Sequence, residues 1–338
     1  MRCGFGHAPD EYKNDPSVLK VSPSSIMEFL KSPAHYHARY IRGIKETTKA
    51  MEQGNIVHMA VLEEHRFLSE YACEPELINF PDALVTTDHW KVEADKLGLK
   101  KTGKKEELIA RVCEADPSLK ARDWDFIYKC HLAGRKPISL IDWSHVQELK
   151  ASIEYHPKLK SLLARPGWRE QLAWIFDEDR KILFKFKTDF VDDTGVIVDL
   201  KKCPSAQVRD FSRKIFFENL FVQGAMYFEL WTILHEKYIP AQDEIEQQVM
   251  PIPKPRAFVF AAFEMKMPYI WQPYNLDAGA LDAGEHVYVK AINRLIECRE
   301  KNEWHGYSDK IEPISLPHYA WDILQSDADA EIDDGTEK

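Results

Sequence analysis

Residues 169–202, REQLAWIFDEDRKILFKFKTDFVDDTGVIVDLKK, read as three consecutive strands. The runs are separated by Asp177-Glu178-Asp179-Arg180 and Asp192-Asp193-Thr194-Gly195, which have turn composition. A period of two puts successive side chains on opposite faces of a sheet. Ile182, Phe184 and Phe186 then share one face, and Lys185, Lys187 and Asp189 the other. In the next strand Asp199 and Lys201 are two residues apart and share a face. If the hairpin pairs, Asp189, Asp199 and Lys201 can meet at one end of the sheet. The acid-x-lysine spacing alone marks nothing, because it recurs at Asp179/Lys181, Glu11/Lys13, Glu148/Lys150 and Glu264/Lys266.

Outward from this hairpin the pattern turns helical. Residues 21–43 open with a helix for which Ser25 and Glu28 suggest a capping box, and Pro33 starts a second one. Residues 54–71, GNIVHMAVLEEHRFLSEY, read as one helix carrying His58. Residues 136–143, KPISLIDW, read as a linker into a helical stretch that stops at Pro166-Gly167. Residues 205–236 are helical, 256–274 supply two strands about Pro268, and 277–303 form a long final helix. Strands in the middle with helices before, between and after them predict an α/β fold around one mixed sheet. No internal repeat or glycine-rich phosphate loop is present.

The chain has 338 residues, 44% of them hydrophobic, and can bury a sizeable core. It lacks a run of about 18 apolar residues and an N-terminal signal-peptide pattern, so a cytoplasmic protein with no membrane partner is expected. Six cysteines are scattered without a C-x-x-C pair, which argues against a zinc ribbon or a disulfide scaffold. The net charge of −10 disfavours wholesale binding to nucleic acid unless a local basic patch exists. Residues 86–115 offer one: two short helices joined by a turn around which Lys96, Lys100, Lys101, Lys104 and Lys105 gather. A solvated charged loop is the other reading of these lysines. Residues 323–338 are acidic and poor in large apolar groups, as in a mobile tail.

Paired carboxylates suit Mg²⁺, a hard cation that prefers oxygen ligands and often binds beside phosphate. A lysine next to them can orient water or offset charge growing on a phosphate. Glu170 could add a carboxylate, or be a surface residue. His58 could be a ligand or a hydrogen-bonded helix histidine. Gln223 and Tyr227 are four residues apart on one helix face and could contact phosphate or pack at the edge of the core.

In their order along the chain, SPSSIMEFLKSPAHY, GNIVHMAVLEEHRF, KTDFVDD, VDLKK, VQGAMY, FEMKMPYIW and EWHGYSDKIEPISLPHYAW resemble the RecE-type (exonuclease VIII-like) phage and prophage exonucleases of the PD-(D/E)XK nuclease superfamily. The resemblance covers nearly the whole chain apart from residues of about 82–130 and the termini. It implies a restriction-endonuclease-like core, with Asp189 and Asp199 on the metal, Lys201 as the motif lysine, and Glu170 and His58 at or near the metal. Gln223 and Tyr227 match a Gln-x-x-x-Tyr helix motif, which implies DNA contact or support of the active site. Lys187-Thr188 before Asp189 and Lys202-Cys203 after Lys201 depart from the family pattern and leave the detailed substrate contacts open.

The basic segment resembles a SAP motif, a small helical DNA-binding module, through Val92, Leu97, Gly98, Leu99, Gly103, Lys105, Leu108 and Arg111. That resemblance implies phosphate contacts from Lys100, Lys101, Lys104 and Lys105. The expected organisation is an N-terminal helical part of the nuclease domain over 1–81, a SAP-like insertion over 82–125, the nuclease core over 126–322 and the acidic tail. The family implies a Mg²⁺-dependent 5′→3′ exonuclease on linear double-stranded DNA, with Mn²⁺ as a possible substitute metal. It also implies a ring-like homo-oligomer and a single-strand annealing partner. A single-strand or structure-selective RecB-like nuclease and a non-catalytic DNA-binding or annealing accessory protein are the alternatives. With Cys298 as the only cysteine after Cys203, no iron–sulfur cluster of the RecB-like kind is expected.

Overall fold

A computed structural model describes residues 1–44, 48–238, 250–317 and 320–321. The expected acidic tail lies outside them. The strands are β1 (Arg2–Phe5), β2 (Leu19–Val21), β3 (Tyr71–Cys73), β4 (Lys136–Ile138), β5 (Gly167–Asp177), β6 (Ile182–Asp192), β7 (Val196–Lys202), β8 (Ala257–Phe263) and β9 (Trp271–Leu276). The helices before β5 are α1 (Asp10–Lys13), α2 (Pro23–Lys31), α3 (Pro33–Tyr36), α4 (Lys49–Leu62), α5 (Glu64–Glu70), α6 (Thr87–Lys96), α7 (Lys105–Ala115), α8 (Trp124–Leu132), α9 (Leu140–Ser152) and α10 (Pro157–Leu163). Those after it are α11 (Val208–Phe217), α12 (Leu220–Lys237) and α13 (Ala278–Lys301).

The hairpin residues form the centre of a sheet ordered β1-β5-β6-β7-β8-β9, with β2 also on β6. β5–β6 and β6–β7 are antiparallel, whereas β7–β8 and β2–β6 are parallel. The fold is therefore the expected α/β arrangement of a mixed sheet flanked by helices. One face packs on α12 through Phe186, Ile197, Phe258, Phe260, Tyr227 and Trp231. The other packs Phe190, Val198, Leu200 and Phe263 against Val57 and Ala60 of α4 and Leu149 of α9.

The edge of β6 that faces β7 is shared. β2 pairs with its first residues, Ile182–Phe184, and β7 pairs with Phe190 and Val191 near its end. Between the two the edge is open, and α12 closes it. The Tyr227 hydroxyl donates to the Lys187 carbonyl at 2.8 Å, and the Trp231 indole N–H to Thr188 Oγ1 at 2.7 Å. Satisfying the Lys187 carbonyl from a helix relieves part of the cost of a buried strand edge without a neighbour, and the Trp231 bond satisfies a buried side chain beside it.

Several local expectations are corrected. Ser22, not Ser25, caps α2: it accepts from the Ser25 N–H, and Ser25 Oγ accepts from the Ser22 N–H at 2.8 Å. Pro23 then takes the first helical position, where its missing N–H costs nothing. Glu28 instead pairs with Lys31 and Arg39. The helix expected over 54–71 begins earlier, at Lys49 behind the Thr48 cap, and breaks at Glu63 into α4 and α5. The 136–143 linker contains β4, parallel to β3, and the start of α9, capped by Ser139. The 205–236 stretch is two helices, turned at Asn219 in the left-handed region (φ +55°). Among the described residues no helix is long and apolar enough to cross a membrane.

Residues 84–119 build a small core of their own from Leu84, Trp90, Ala94, Leu108, Val112 and Leu119. The ends of this segment meet, since the Leu84 N–H donates to the Arg122 carbonyl and the Trp124 N–H to the Leu84 carbonyl at 3.3 Å.

Candidate active site

Where β6 and β7 part, the site assembles. Their register pairs Phe190 with Val198, so Asp189 and Asp199 are the next facing pair, one step beyond the last ladder contact. There the Leu200 N–H donates to Asp189 Oδ2 at 2.7 Å. A side-chain carboxylate thus replaces the backbone acceptor that a continued ladder would supply, and the strands fork. β7 keeps its alignment through parallel pairing with β8 along its whole length. Asp199 and Lys201 share a face, as the alternation predicts, and that face looks at α12.

Strict alternation fails at one point on β5 and β6. Phe186 and Val191, an odd number of residues apart, pack on the α12 side, and so do Ala173 and Trp168. The pleat therefore inverts between them on both strands. The inversion centres on Glu170, whose φ of +49° is in the left-handed region that disfavours a side chain with a Cβ. The partners on either side, Arg169 with Phe190 and Gln171 with Thr188, place Glu170 opposite Asp189. Backbone of this kind costs on the order of 1–3 kcal/mol and concentrates at functional sites. Here it delivers a carboxylate to the fork.

His58 comes from α4, whose Val57 and Ala60 are buried against the sheet. Its Nδ1 lies 3.4 Å from Asp189 Oδ2 and 3.9 Å from Glu170 Oε1. Donor atoms of His58, Glu170 and Asp189 all fall within 4.8 Å of one another. Lys187 Nζ forms an ion pair with Glu170 Oε2, but Glu170 Oε1 is buried with no hydrogen-bond partner. An orphaned carboxylate oxygen beside a second carboxylate and an imidazole is the donor set a divalent cation would satisfy. The residues present fit the expected metal.

Lys201 Nζ lies 2.8 Å from Asp199 Oδ2 and donates to Gln223 Oε1 at 3.1 Å, while Gln223 Nε2 donates to Asp199 Oδ1 at 3.2 Å. Gln223 thereby locks the acid and the lysine into one arrangement. Tyr227, one turn later, is buried and commits its hydroxyl to the Lys187 carbonyl. Both side chains therefore hydrogen-bond to groups of the fork itself.

The charges oppose one another across this small space. Burial, reinforced by Asp189, pushes the Asp199 carboxyl up to about 6 despite Lys201. Burial also raises Asp189, but His58, Lys201 and the Leu200 N–H outweigh it and hold Asp189 below the usual carboxylate range. Burial opposes protonation of His58, yet Asp189, Asp199 and Glu170 raise its pKa; Lys201 is raised by Asp199 and Asp189 against the same penalty. Glu170 is raised mainly by burial.

The chain matches the family model described as a PDDEXK-like domain of unknown function (DUF3799) over residues 22–317. It belongs to that family. A crystal structure titled "Putative exonuclease" from Eubacterium rectale is similar to it at 13% identity, with a TM-score of 0.46, covering 95% of this chain and 98% of that one. No curated protein matches in sequence.

The DUF3799 chain also places residues that pattern reading missed. Lys202, beyond the motif lysine, donates to Gln53 Oε1 of α4 at 2.9 Å, and Gln53 Nε2 donates to Asp142 Oδ1 of α9 at 3.2 Å. Lys202 therefore ties the end of β7 to the helix that carries His58. Residues 149 apart in sequence leave no spacing signal for this contact. In the basic segment, Lys101 pairs with Asp95 at 2.7 Å, and Lys105 reaches the Val85 carbonyl at 3.1 Å and Asp125 at 3.6 Å. Among the described residues Lys100 and Lys104 have no carboxylate within 4 Å of Nζ.

Proposed function

We propose that this protein is a divalent-metal-dependent exodeoxyribonuclease that removes 5′-mononucleotides from the 5′ end of one strand of linear duplex DNA. The reading rests on one observation: two aspartates, a buried glutamate with an orphaned oxygen, a histidine and a lysine converge at the β6–β7 fork. The end polarity, the preference for duplex and the use of the 3′ strand in annealing or recombination rest on the motif resemblance to RecE-type exonucleases. That resemblance also carries a ring-like homo-oligomer and an annealing partner into the proposal.

A divalent ion such as Mg²⁺ or Mn²⁺, when bound, supplies Lewis acidity to the scissile phosphate and acidity to water. Asp189, Glu170 and His58, with Asp199 beside them, would hold it. Lys201, kept cationic by Asp199 and Asp189, presents an ammonium that orients the attacking water and offsets charge on the phosphate. Gln223 keeps that ammonium aimed. Hydrolysis forms a water-oxygen bond to phosphorus and breaks the P–O3′ bond; the leaving 3′ oxygen takes a proton. A binding protein has no need of a buried lysine fixed between an aspartate and a glutamine, which counts against the accessory reading.

Linear duplex labelled at either 5′ or 3′ ends, incubated with Mg²⁺ or EDTA, tests this. Wild type should release the 5′ label as mononucleotide with Mg²⁺ alone, and Asp199→Asn should release none while still binding DNA. If wild type and variant bind alike and neither releases nucleotide, the enzyme reading is wrong.

A further inference from the structure

Helix α11 leads directly into the helix that carries Gln223, and its outer face is unusual. Phe211 is buried, with its ring 5.2 Å from Tyr274 and 5.9 Å from Phe260, and Ile215 packs beside it. At 100° per residue, Arg209, Arg213, Phe216 and Phe217 fall within about 100° of one another on the opposite face. Phe216 and Phe217 are 65% and 77% exposed, with ring centroids 5.4 Å apart. Phe216 is also parallel to Phe221 of α12, at 6.4 Å and 10°. An ordinary solvated helix face is polar, whereas this one sets two phenyl rings beside two guanidinium groups. Of these, Arg209 lies 3.7 Å from Asp210 at the edge of the stripe, an exposed pair that a phosphate can displace.

The stripe adjoins the catalytic fork. Glu218, just past Phe217, is paired with Lys214 and is close enough to act on Lys201. Counting residues along the chain, Phe217 and Gln223 are at most about 15 Å apart. That span is a few nucleotide steps at about 3.4 Å each.

We propose that this face of α11 is a stacking platform for unpaired bases of the DNA strand whose backbone enters the fork, Arg209 and Arg213 taking phosphates and Phe216 and Phe217 taking bases. Interleaved cationic and aromatic groups suit an unpaired strand, because every base has a π face and every link a negative charge. The platform deepens the nuclease reading by assigning how a strand end is held open, and it rests on that reading for its substrate. It would favour ends whose terminal pairs are already open.

The full chain is titrated in EDTA with duplexes carrying a fluorescent adenine analogue at an end that is either blunt or forked by mismatches. Wild type should quench the analogue and bind the forked end more tightly than the blunt one. The Phe216→Ala/Phe217→Ala double variant should lose the quench and bind the forked end about tenfold or more weakly. Phe216→Tyr/Phe217→Tyr should retain both properties. Because both rings are exposed, the Ala variant should keep the wild-type melting temperature. Unchanged affinity and quench in the Ala variant would overturn the proposal. So would a change of oligomeric state with DNA binding intact, which would make the face a contact between copies of this chain. Binding is read without cleavage, so a wild type that quenches forked ends but never releases nucleotide refutes the nuclease reading and leaves the platform standing.

Discussion

Asp199 is the residue at which burial and charge conflict most openly. Its raised pKa has two consequences of opposite sign. In the metal-free protein, burial favours the protonated carboxyl over the ionised one more than the unfolded chain does, so its contribution to stability is present below the unfolded value near 4 and lost as pH rises through about 6. With a cation, the ionised form is needed, and protons compete with the metal below about 6. The Mg²⁺-induced rise in Tm should therefore be larger at pH 7.5 than at pH 5.5. Asp189→Asn should show little rise at either pH. Scanning calorimetry with and without Mg²⁺ measures this, and equal shifts at both pH values in wild type would contradict it. Glu170 marks the limit of reading residues singly: its type suggests a ligand, but only its left-handed backbone opposite Asp189 explains how a strand residue reaches the fork.

At the scale of elements, the site depends on α4 and α12 holding fixed positions against the fork. Lys202 and Gln53 tie β7 to α4, so they act on His58 through its helix. Lys202→Met should lower kcat about three- to tenfold with little change in KM for DNA. Lys202→Met and Gln53→Ala should be non-additive, since both remove the Lys202–Gln53 contact, Gln53→Ala losing its bond to Asp142 as well. Steady-state kinetics on the single and double variants decides it, and full additivity would deny the tie. On the other face, α12 packs against α13 at Gly284, where a Cβ would fall 2.5 Å from the Phe221 carbonyl oxygen and 2.7 Å from Ala225 Cβ. Phe221 is in the first turn of the helix that bears Gln223. Gly284→Ala should cost about 1–3 kcal/mol in urea denaturation and reduce activity as well, because overpacking there displaces the helix.

For the whole molecule, the proposed binding to DNA would require an acidic chain to concentrate its phosphate contacts. The segment with its own core between Leu84 and Leu119 can do so without entering the main sheet. Its ends are hydrogen-bonded to each other, so removing residues 86–120 leaves a short junction. The shortened protein should keep a cooperative melt near that of the full chain. It should bind duplex more weakly at moderate salt, with a shallower dependence of log K on log salt by about 0.9 for each lost phosphate contact. Unchanged affinity and slope would remove the case for a DNA-binding role of this segment.

The three central strands, the final helix and the two helices around the basic turn were legible in the sequence, because each depends on periodicity and turn residues within a few positions. Asp189, Asp199, Lys201 and Gln223 were singled out by the motif resemblance, since the acid-x-lysine spacing recurs elsewhere in the chain, and the fold brings them to one place. β1, β2 and the β3–β4 pair are too short to carry a pattern and exist only because a distant strand supplies their hydrogen bonds. The same reason hides the rest of the site. The fork forms when Asp189 takes the Leu200 N–H, and the pleat inversion at Glu170, the Tyr227 contact to Lys187 and the Lys202–Gln53 tie are all agreements between segments far apart in the chain. Sequence determined which side chains could do the chemistry. Only tertiary packing, by deciding which buried polar groups lack a backbone partner, determined where they meet.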